Sequence, residues 1–164
     1  MCIRDRLLYP VHVLAVLTPG HRLSRRATLD VEELANDPLL LLGRGFASRE
    51  WFYAACQVAR VRPRVFLESA APQTLIALTA AGYGVAVIPS SVRIPRGNVH
   101  VVPLVHRGAS IGRWSVTAWD PQRSLAPYAV QFIEELTVYT RRQYPNRDLT
   151  RRAPSLPQLH KPVR

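Results

Sequence analysis

Gly43, Gly45 and Ser48 stand between an apolar run and a helical pattern, and Glu68 closes the next apolar run. A Gly-x-Gly turn leading from a strand into a helix can admit a pyrophosphate against backbone N–H groups. An acid at the end of the following strand can then bind a ribose hydroxyl. That is the pattern of a dinucleotide-binding enzyme, although Ser48 in place of a third glycine or alanine weakens close helix–strand packing. A simpler reading needs no cofactor. Ser48 caps the helix, and the free N–H groups and positive dipole end of its first turn bind a carboxylate or another anion. Glu68 and Ser69 lie where one strand ends and another helix begins. In open α/β sheets the ligand crevice is found there, at the carboxyl ends of strands.

Other reactive patterns are scarce. His12, His21, His100, His106 and His160 form no pair at metal-ligand spacing. No nucleophile elbow, phosphate-binding Gly-Lys-Ser/Thr loop or Cys-x-x-Cys occurs. Cys56 sits in a helical pattern and reads as a buried small hydrophobe, so a reducing, cytoplasmic setting is expected. Trp51, Phe52, Trp114 and Trp119 fall inside periodic apolar patterns, which suits a core better than a nucleic-acid stacking platform. A binding domain without metal, cofactor or catalytic residue is the better reading.

The elements that would position these residues follow from hydrophobic periodicity. The 48% hydrophobic fraction of the 164 residues suffices for one domain or two small lobes. No apolar run approaches the ~18 residues that span a membrane, so no membrane partner is expected, and no signal peptide is evident. Residues 1–10 are set apart as a non-native or truncated start, because Met1–Arg6 joins no pattern. Val11–Leu17 reads as a strand ended by Thr18-Pro19-Gly20, Leu29–Ala35 as a short helix, and Pro38–Leu42 as a strand buried on both faces. A helix follows with the stripe Trp51, Phe52, Ala55, Val58 and Ala59, then a strand over Arg64–Leu67.

The central stretch runs from Glu68 to Pro89. It predicts a helix capped by Ser69, with Pro72 in its first turn and Pro72, Leu75, Ile76 and Thr79 on one face. Gly82 and Gly84 end it, and Val85–Ile88 is a strand covered on both sides. Strands alternating with helices of this length predict βαβ units and a mostly parallel sheet. After Pro89 come strands over Val99–Val105 and Trp114–Trp119. A last helix over Pro127–Tyr139 has Ala129, Phe132, Ile133, Leu136 and Tyr139 on its apolar side.

The net charge of +11 looks like a nucleic-acid signal until it is divided. Residues 141–164 carry +6 of it among four prolines. A tail of that composition is expected to be disordered and dispensable for folding.

The order of four stretches resembles the effector-binding domain of LysR-type transcriptional regulators. Leu14-Ala-Val-Leu-Thr-Pro-Gly-His21-Arg-Leu23-Ser is similar to the family's crossover strand and its His-Pro-Leu-Ala turn, with Arg22 and Ser24 replacing the Pro and Ala. Leu29–Leu42 is similar to its short helix and following strand. Glu68-Ser-x-x-x-Gln-Thr-Leu-Ile-Ala-Leu-Thr-Ala-Ala-Gly82-Tyr-Gly84-Val-Ala-Val-Ile-Pro89 is the most specific match. Arg123-Ser-Leu-Ala-Pro through Phe132 resembles the closing helix.

The resemblance implies an α/β, two-lobed fold like that of type 2 periplasmic binding proteins, over residues 11–140. One βαβ lobe would be complete (lobe II, 18–89), and residues 90–140 would be the returning part of a partial lobe I. The family's DNA-binding helix-turn-helix and the first half of lobe I would be missing, making this a C-terminal fragment. The effector residues implied by position are Thr18, Arg44, Gly45, Phe46, Ala47, Ser48, Glu68 and Ser69. The implied partners are a small, often anionic effector, DNA through the missing N-terminal domain, and further copies of the full-length chain. Two alternatives stand beside this one: an oxidoreductase fragment resting on Gly43, Gly45 and Glu68, and a solute-binding protein of the same fold, against which the absent signal peptide counts.

Overall fold

The computed structural model describes residues 4–95 and 97–149. Its spine is strand β1, Arg4–Leu17. Val13–Leu17 of β1 is wholly buried. That half pairs antiparallel with β5 (Val85–Pro89) on one side and β6 (His100–His106) on the other. The first half, Arg4 to His12, pairs with β8 (Gly112–Trp119). The strand thus belongs to two bodies and changes partners at His12–Val13.

Residues 4–10, set apart by the sequence reading, are therefore integral to the fold, and Leu8, Pro10 and Val11 are buried. Arg4, Asp5 and Arg6 carry no apolar signal, and pairing with a strand a hundred residues away leaves none in local sequence. Met1–Ile3 lie outside the described residues.

The larger sheet runs β2 (Leu29–Asp30), β6, β1, β5, β3 (Leu39–Leu42), β4 (Val65–Ser69). β3 is parallel to both β4 and β5. Helix α1 (Ala47–Val58) joins β3 to β4, and α2 (Pro72–Ala80) joins β4 to β5, as the sequence predicts. Successive strand residues point to opposite faces. Val13, Ala15, Leu39, Leu41, Val85 and Val87 pack with Phe52 and Cys56 of α1. Leu14, Val16, Leu40, Leu42, Ala86 and Ile88 pack with Leu75 and Ile76 of α2. A sheet covered on both faces has no solvent side to alternate with, hence its unbroken apolar runs. Burial also pushes the Cys56 thiol up to about 11, consistent with a packing role.

Several boundaries differ from expectation. β6 lies in the larger sheet rather than in the returning lobe, because it pairs with Leu14–Leu17. It also turns into the short β7 (Ala109–Ser110). The helix expected over Leu29–Ala35 is the two-residue β2 followed by a 3-10 turn, Val31–Leu34, capped reciprocally by Asp30 and Glu33. Ser69 does not cap α2. It ends β4, and its Oγ accepts the Ala71 N–H (3.1 Å), bending the chain before Pro72 opens the helix. Val58, placed in the α1 stripe, is 67% exposed. Arg22, where the family has proline, ties its turn to Asp37 (2.8 Å) and the Glu33 carbonyl (2.9 Å).

At the end of α2, Gly82 has φ +86°. Its N–H donates to the Thr79 carbonyl (2.9 Å) and the Tyr83 N–H to that of Leu78 (3.1 Å). This is the Schellman arrangement, and it places Gly82 where the sequence does.

Helix α3 (Pro127–Arg142) packs against β1 by a face that overlaps the expected one only in part. Phe132 and Tyr139 are exposed, whereas Ala129, Ile133 and Leu136 are half-buried and Thr137 and Thr140 buried. The two threonines donate back to the carbonyls of Ile133 (2.6 Å) and Leu136 (2.8 Å), which satisfies their hydroxyls within the helix. Polar residues that satisfy themselves in this way can line a packed face that an apolar-periodicity rule overlooks. The expectation of a disordered tail from residue 141 also fails up to Leu149. α3 extends to Arg142, Asn146 is bonded to the Ser90 and Val92 carbonyls, and Leu149 packs against the α2-side core. Residues 150–164, with most of the tail's charge, lie outside the described residues.

Candidate functional site

Because β3 and β5 are parallel, their carboxyl ends open at one edge of the larger sheet, beside the point where β1 changes partners. A cleft of about 380 Å³ lies there. β1 supplies Tyr9 and Val11, β8 supplies Trp114 and Ser115, and Pro89 and Ser91 come from the end of β5. Phe46, which precedes α1, and Ala47, Ser48 and Trp51 of α1 complete the lining. The lining holds four aromatic rings and three serine residues, and no charged side chain. Such a surface suits a small molecule with a flat apolar body and a few hydrogen-bonding groups. α1 begins at Ala47 with Phe46 as N-cap and no side-chain cap, leaving its first-turn N–H groups the available positive element.

Of the residues predicted from sequence, Phe46, Ala47 and Ser48 meet in this cleft. Ser48 is the second residue of α1 and buried, not its cap. Arg44 and Gly45 form the exposed turn just before it, with Gly45 at φ +94°. Glu68 and Ser69 end the edge strand β4 and do not line the cleft. The Glu68 carboxylate is held by Arg49 at 2.7 Å, which keeps it below the usual carboxylate range. Arg49 also donates to the Leu42 carbonyl (2.8 Å) and lies 5.0 Å over the Tyr53 ring. The acid needed for a ribose contact in the dinucleotide reading is thus already engaged.

Thr18 does not reach this cleft. It follows β1 at the end opposite the cleft, seven residues beyond Val11, or roughly 23 Å along the strand. There its carbonyl accepts the His21 N–H (3.1 Å) in a turn. With the strand read as starting at Val11, its end was mistaken for the crossing, which occurs mid-strand at His12.

Sequence reasoning does not bring Tyr9, Val11, Pro89, Ser91 or Ser115 to the cleft and places Trp51 and Trp114 in the core; Trp51 does pack against the α1-side core while also lining the cleft. A hydroxyl beside a tryptophan in the alternating strand Trp114–Trp119 was the available signal.

The crossing itself is a polar junction. Ser90 donates its N–H to the His12 carbonyl (2.8 Å), and the His12 N–H donates to Ser90 Oγ (3.0 Å). The His12 ring is buried, its Nδ1 lies 3.3 Å from Ser110 Oγ, and its Nε2 has no hydrogen-bond partner among the described residues. Burial lowers its pKa from the ordinary 6.5. The unfolded chain therefore takes up a proton below about pH 6.5 that the folded one resists. Stability is complete above that pH and falls as pH drops toward the folded value. Urea unfolding at pH 7.5 and 5.5 should show a smaller pH loss in His12→Gln than in the unsubstituted chain. An identical loss in both would mean the histidine does not stay neutral.

A second cluster, Asp30, Glu32 and His106, brings potential metal-ligating atoms within 4.8 Å of one another. Asp30 there already caps the 3-10 turn and accepts the Arg107 N–H (2.7 Å).

A crevice between two α/β bodies joined by a shared strand, at the carboxyl ends of parallel strands, defines a two-lobed small-molecule-binding domain. The chain belongs to the LysR substrate binding domain family, whose model matches residues 3–140. It is 29% identical over 138 residues to the transcriptional dual regulator GltC of Bacillus subtilis, covering 80% of this chain and 44% of GltC. It spans under half the length of that relative. Its fold matches the regulatory domain of CcmR from Synechocystis PCC6803, a complex with 2-PG, at a TM-score of 0.72 and 16% identity, covering 84% of this chain and 67% of that one. It also matches the effector-binding domain of QuiR, a complex with shikimate, at a TM-score of 0.67 and 14% identity, covering 87% and 67%. The α/β, type 2 periplasmic-binding-protein-like fold implied by the sequence is the observed one. Among the described residues, no helix is long and apolar enough to cross a membrane.

Proposed function

We propose that this chain senses a small-molecule effector in the cleft lined by Tyr9, Phe46, Ser48, Trp51, Trp114 and Ser115, and performs no catalysis. In the whole protein it would act as the ligand-responsive part of a cytoplasmic, oligomeric LysR-type regulator that binds DNA through another domain. The observation that carries the reading is the position of the cleft between the two bodies, where a bound molecule touches both and biases their arrangement. Complexes of CcmR with 2-PG and of QuiR with shikimate support it. The lining favours an effector read by ring faces and hydroxyls, and an anionic group would be met by the N-terminus of α1 rather than by a side-chain cation.

Trp51 and Trp114 provide the assay. Titration with 2-PG, shikimate and a panel of small hydroxylated and carboxylated metabolites should give at least one saturable change in tryptophan emission below millimolar concentration. Ser48→Phe, which fills the cleft, should weaken that response at least tenfold. Binding that survives Ser48→Phe unchanged, or no response to any compound, would remove the cleft as the effector site.

A further inference from the structure

α3 ends at Arg142 on the β1/β8 body, and the seven residues that follow cross to the larger sheet. Tyr144, Asn146 and Leu149 help to fasten them. The Tyr144 ring stacks on Tyr9, with centroids 5.3 Å apart and planes 20° from parallel. Asn146 Nδ2 donates to the carbonyls of Ser90 and Val92, each at 2.8 Å. Leu149 packs on the α2-side core. Asn146 has φ +57°, a left-handed conformation that asparagine tolerates better than most residues with a Cβ.

Two of these contacts touch the cleft. Tyr9 is one of its walls. Ser90 lies between the lining residues Pro89 and Ser91 and is bonded to His12 at the strand crossing. Ser90 is therefore gripped from β1 by His12 and from the C-terminal segment by Asn146. Any change in the angle between the bodies has to move the Tyr9–Tyr144 stack or stretch the Asn146 bonds.

We propose that Gln143–Leu149 is a strap that sets the angle between the two bodies, with Asn146 as a positioning residue for the cleft. The strap's link to effector response rests on the cleft reading above, but its effect on the crossing can be measured without ligand. Asn146→Asp keeps the shape and the tolerance of a left-handed backbone while replacing the amide donor with a carboxylate facing two carbonyls. In the full chain it should speed amide hydrogen exchange in peptides covering 11–13 and 89–92 about tenfold, with β3 and α2 unchanged. In a Trp119→Phe background the remaining tryptophans, Trp51 and Trp114, both line the cleft. Acrylamide quenching of their emission should then rise at least twofold.

Tyr144→Leu is the second variant, readable if Asn146→Asp does not fold. It removes the stack and should raise quenching while leaving exchange at 89–92 close to that of the unsubstituted chain. Unchanged exchange at 89–92 in Asn146→Asp, or an equal rise throughout β3 and α2, overturns the proposal. So does unchanged quenching in Tyr144→Leu. Failure of every metabolite to bind the unsubstituted chain would sink the effector reading and leave these exchange rates as they are.

Discussion

Gly84→Ala should lower the unfolding free energy by about 3 kcal/mol or more, whereas Gly82→Ala should cost only about 1 kcal/mol. Both glycines have positive φ, +86° at Gly82 and +156° at Gly84, but their surroundings differ. A Cβ on Gly82 meets nothing within 4 Å, so the substitution costs only the left-handed backbone. A Cβ on Gly84 falls inside van der Waals contact of the Pro38 carbonyl oxygen and 3.1 Å from its carbon. That carbonyl accepts the Val85 N–H (2.9 Å), and the next residue, Leu39, is registered opposite Val85 in the β3–β5 pair. Relieving the overlap therefore means shifting two central, fully buried strands. Urea denaturation of the two variants decides the matter. Equal losses would show that the strands yield and that backbone conformation alone matters here.

The contrast between these glycines marks how far local sequence reaches. Both were legible as residues ending a helix before a buried strand, since helix period, a left-handed terminator and an apolar run are all written within twenty residues. Which of the two is sterically trapped depends on Pro38, 46 positions earlier in the chain, and no local pattern carries that. The same division holds for the site. Phe46, Ala47 and Ser48 could be brought to the cleft because a strand–turn–helix boundary is a local signal. Tyr9, Ser91 and Ser115 were not, because they reach the cleft only through pairing of β1 with β8 and the crossing at His12. Thr18 shows the converse: its turn is written locally, and its distance from the cleft is not. Glu68 had the right chemistry for a ligand contact, but whether a carboxylate is open or engaged depends on the helix packed beside it, here through Arg49. The α3 face was legible only in part, for a chemical reason. Thr137 and Thr140 satisfy their own hydroxyls, so a polar residue on a helix need not mark the solvent side.

A chain shortened to Arg142 should be less stable than one shortened to Leu149 by about 1–3 kcal/mol, the cost of leaving a buried acceptor without its donor. The contacts of the segment between these points include an aromatic stack, two side-chain hydrogen bonds and a partly buried leucine. Typical contributions are about 0.5–1.5 kcal/mol for the stack, a similar amount for each hydrogen bond, and about 1 kcal/mol or more for the leucine. Ordering seven residues costs roughly 1–2 kcal/mol each in backbone entropy, as much as these gains or more, so the expected loss is that of the acceptors left behind and not the sum of the contacts. The part of the fold that stays behind bears that loss, because without Asn146 the Ser90 and Val92 carbonyls lose their side-chain donor at a junction where a His12 ring nitrogen has no partner among the described residues. Comparing the two shortened chains, rather than either with the full one, confines the difference to Gln143–Leu149 and excludes the basic residues beyond. Composition alone, rich in arginine and proline from residue 141 onward, predicts no difference at all. Equal denaturation midpoints with equal urea dependence would restore that expectation and mean that the contacts of Tyr144, Asn146 and Leu149 contribute nothing net to the fold.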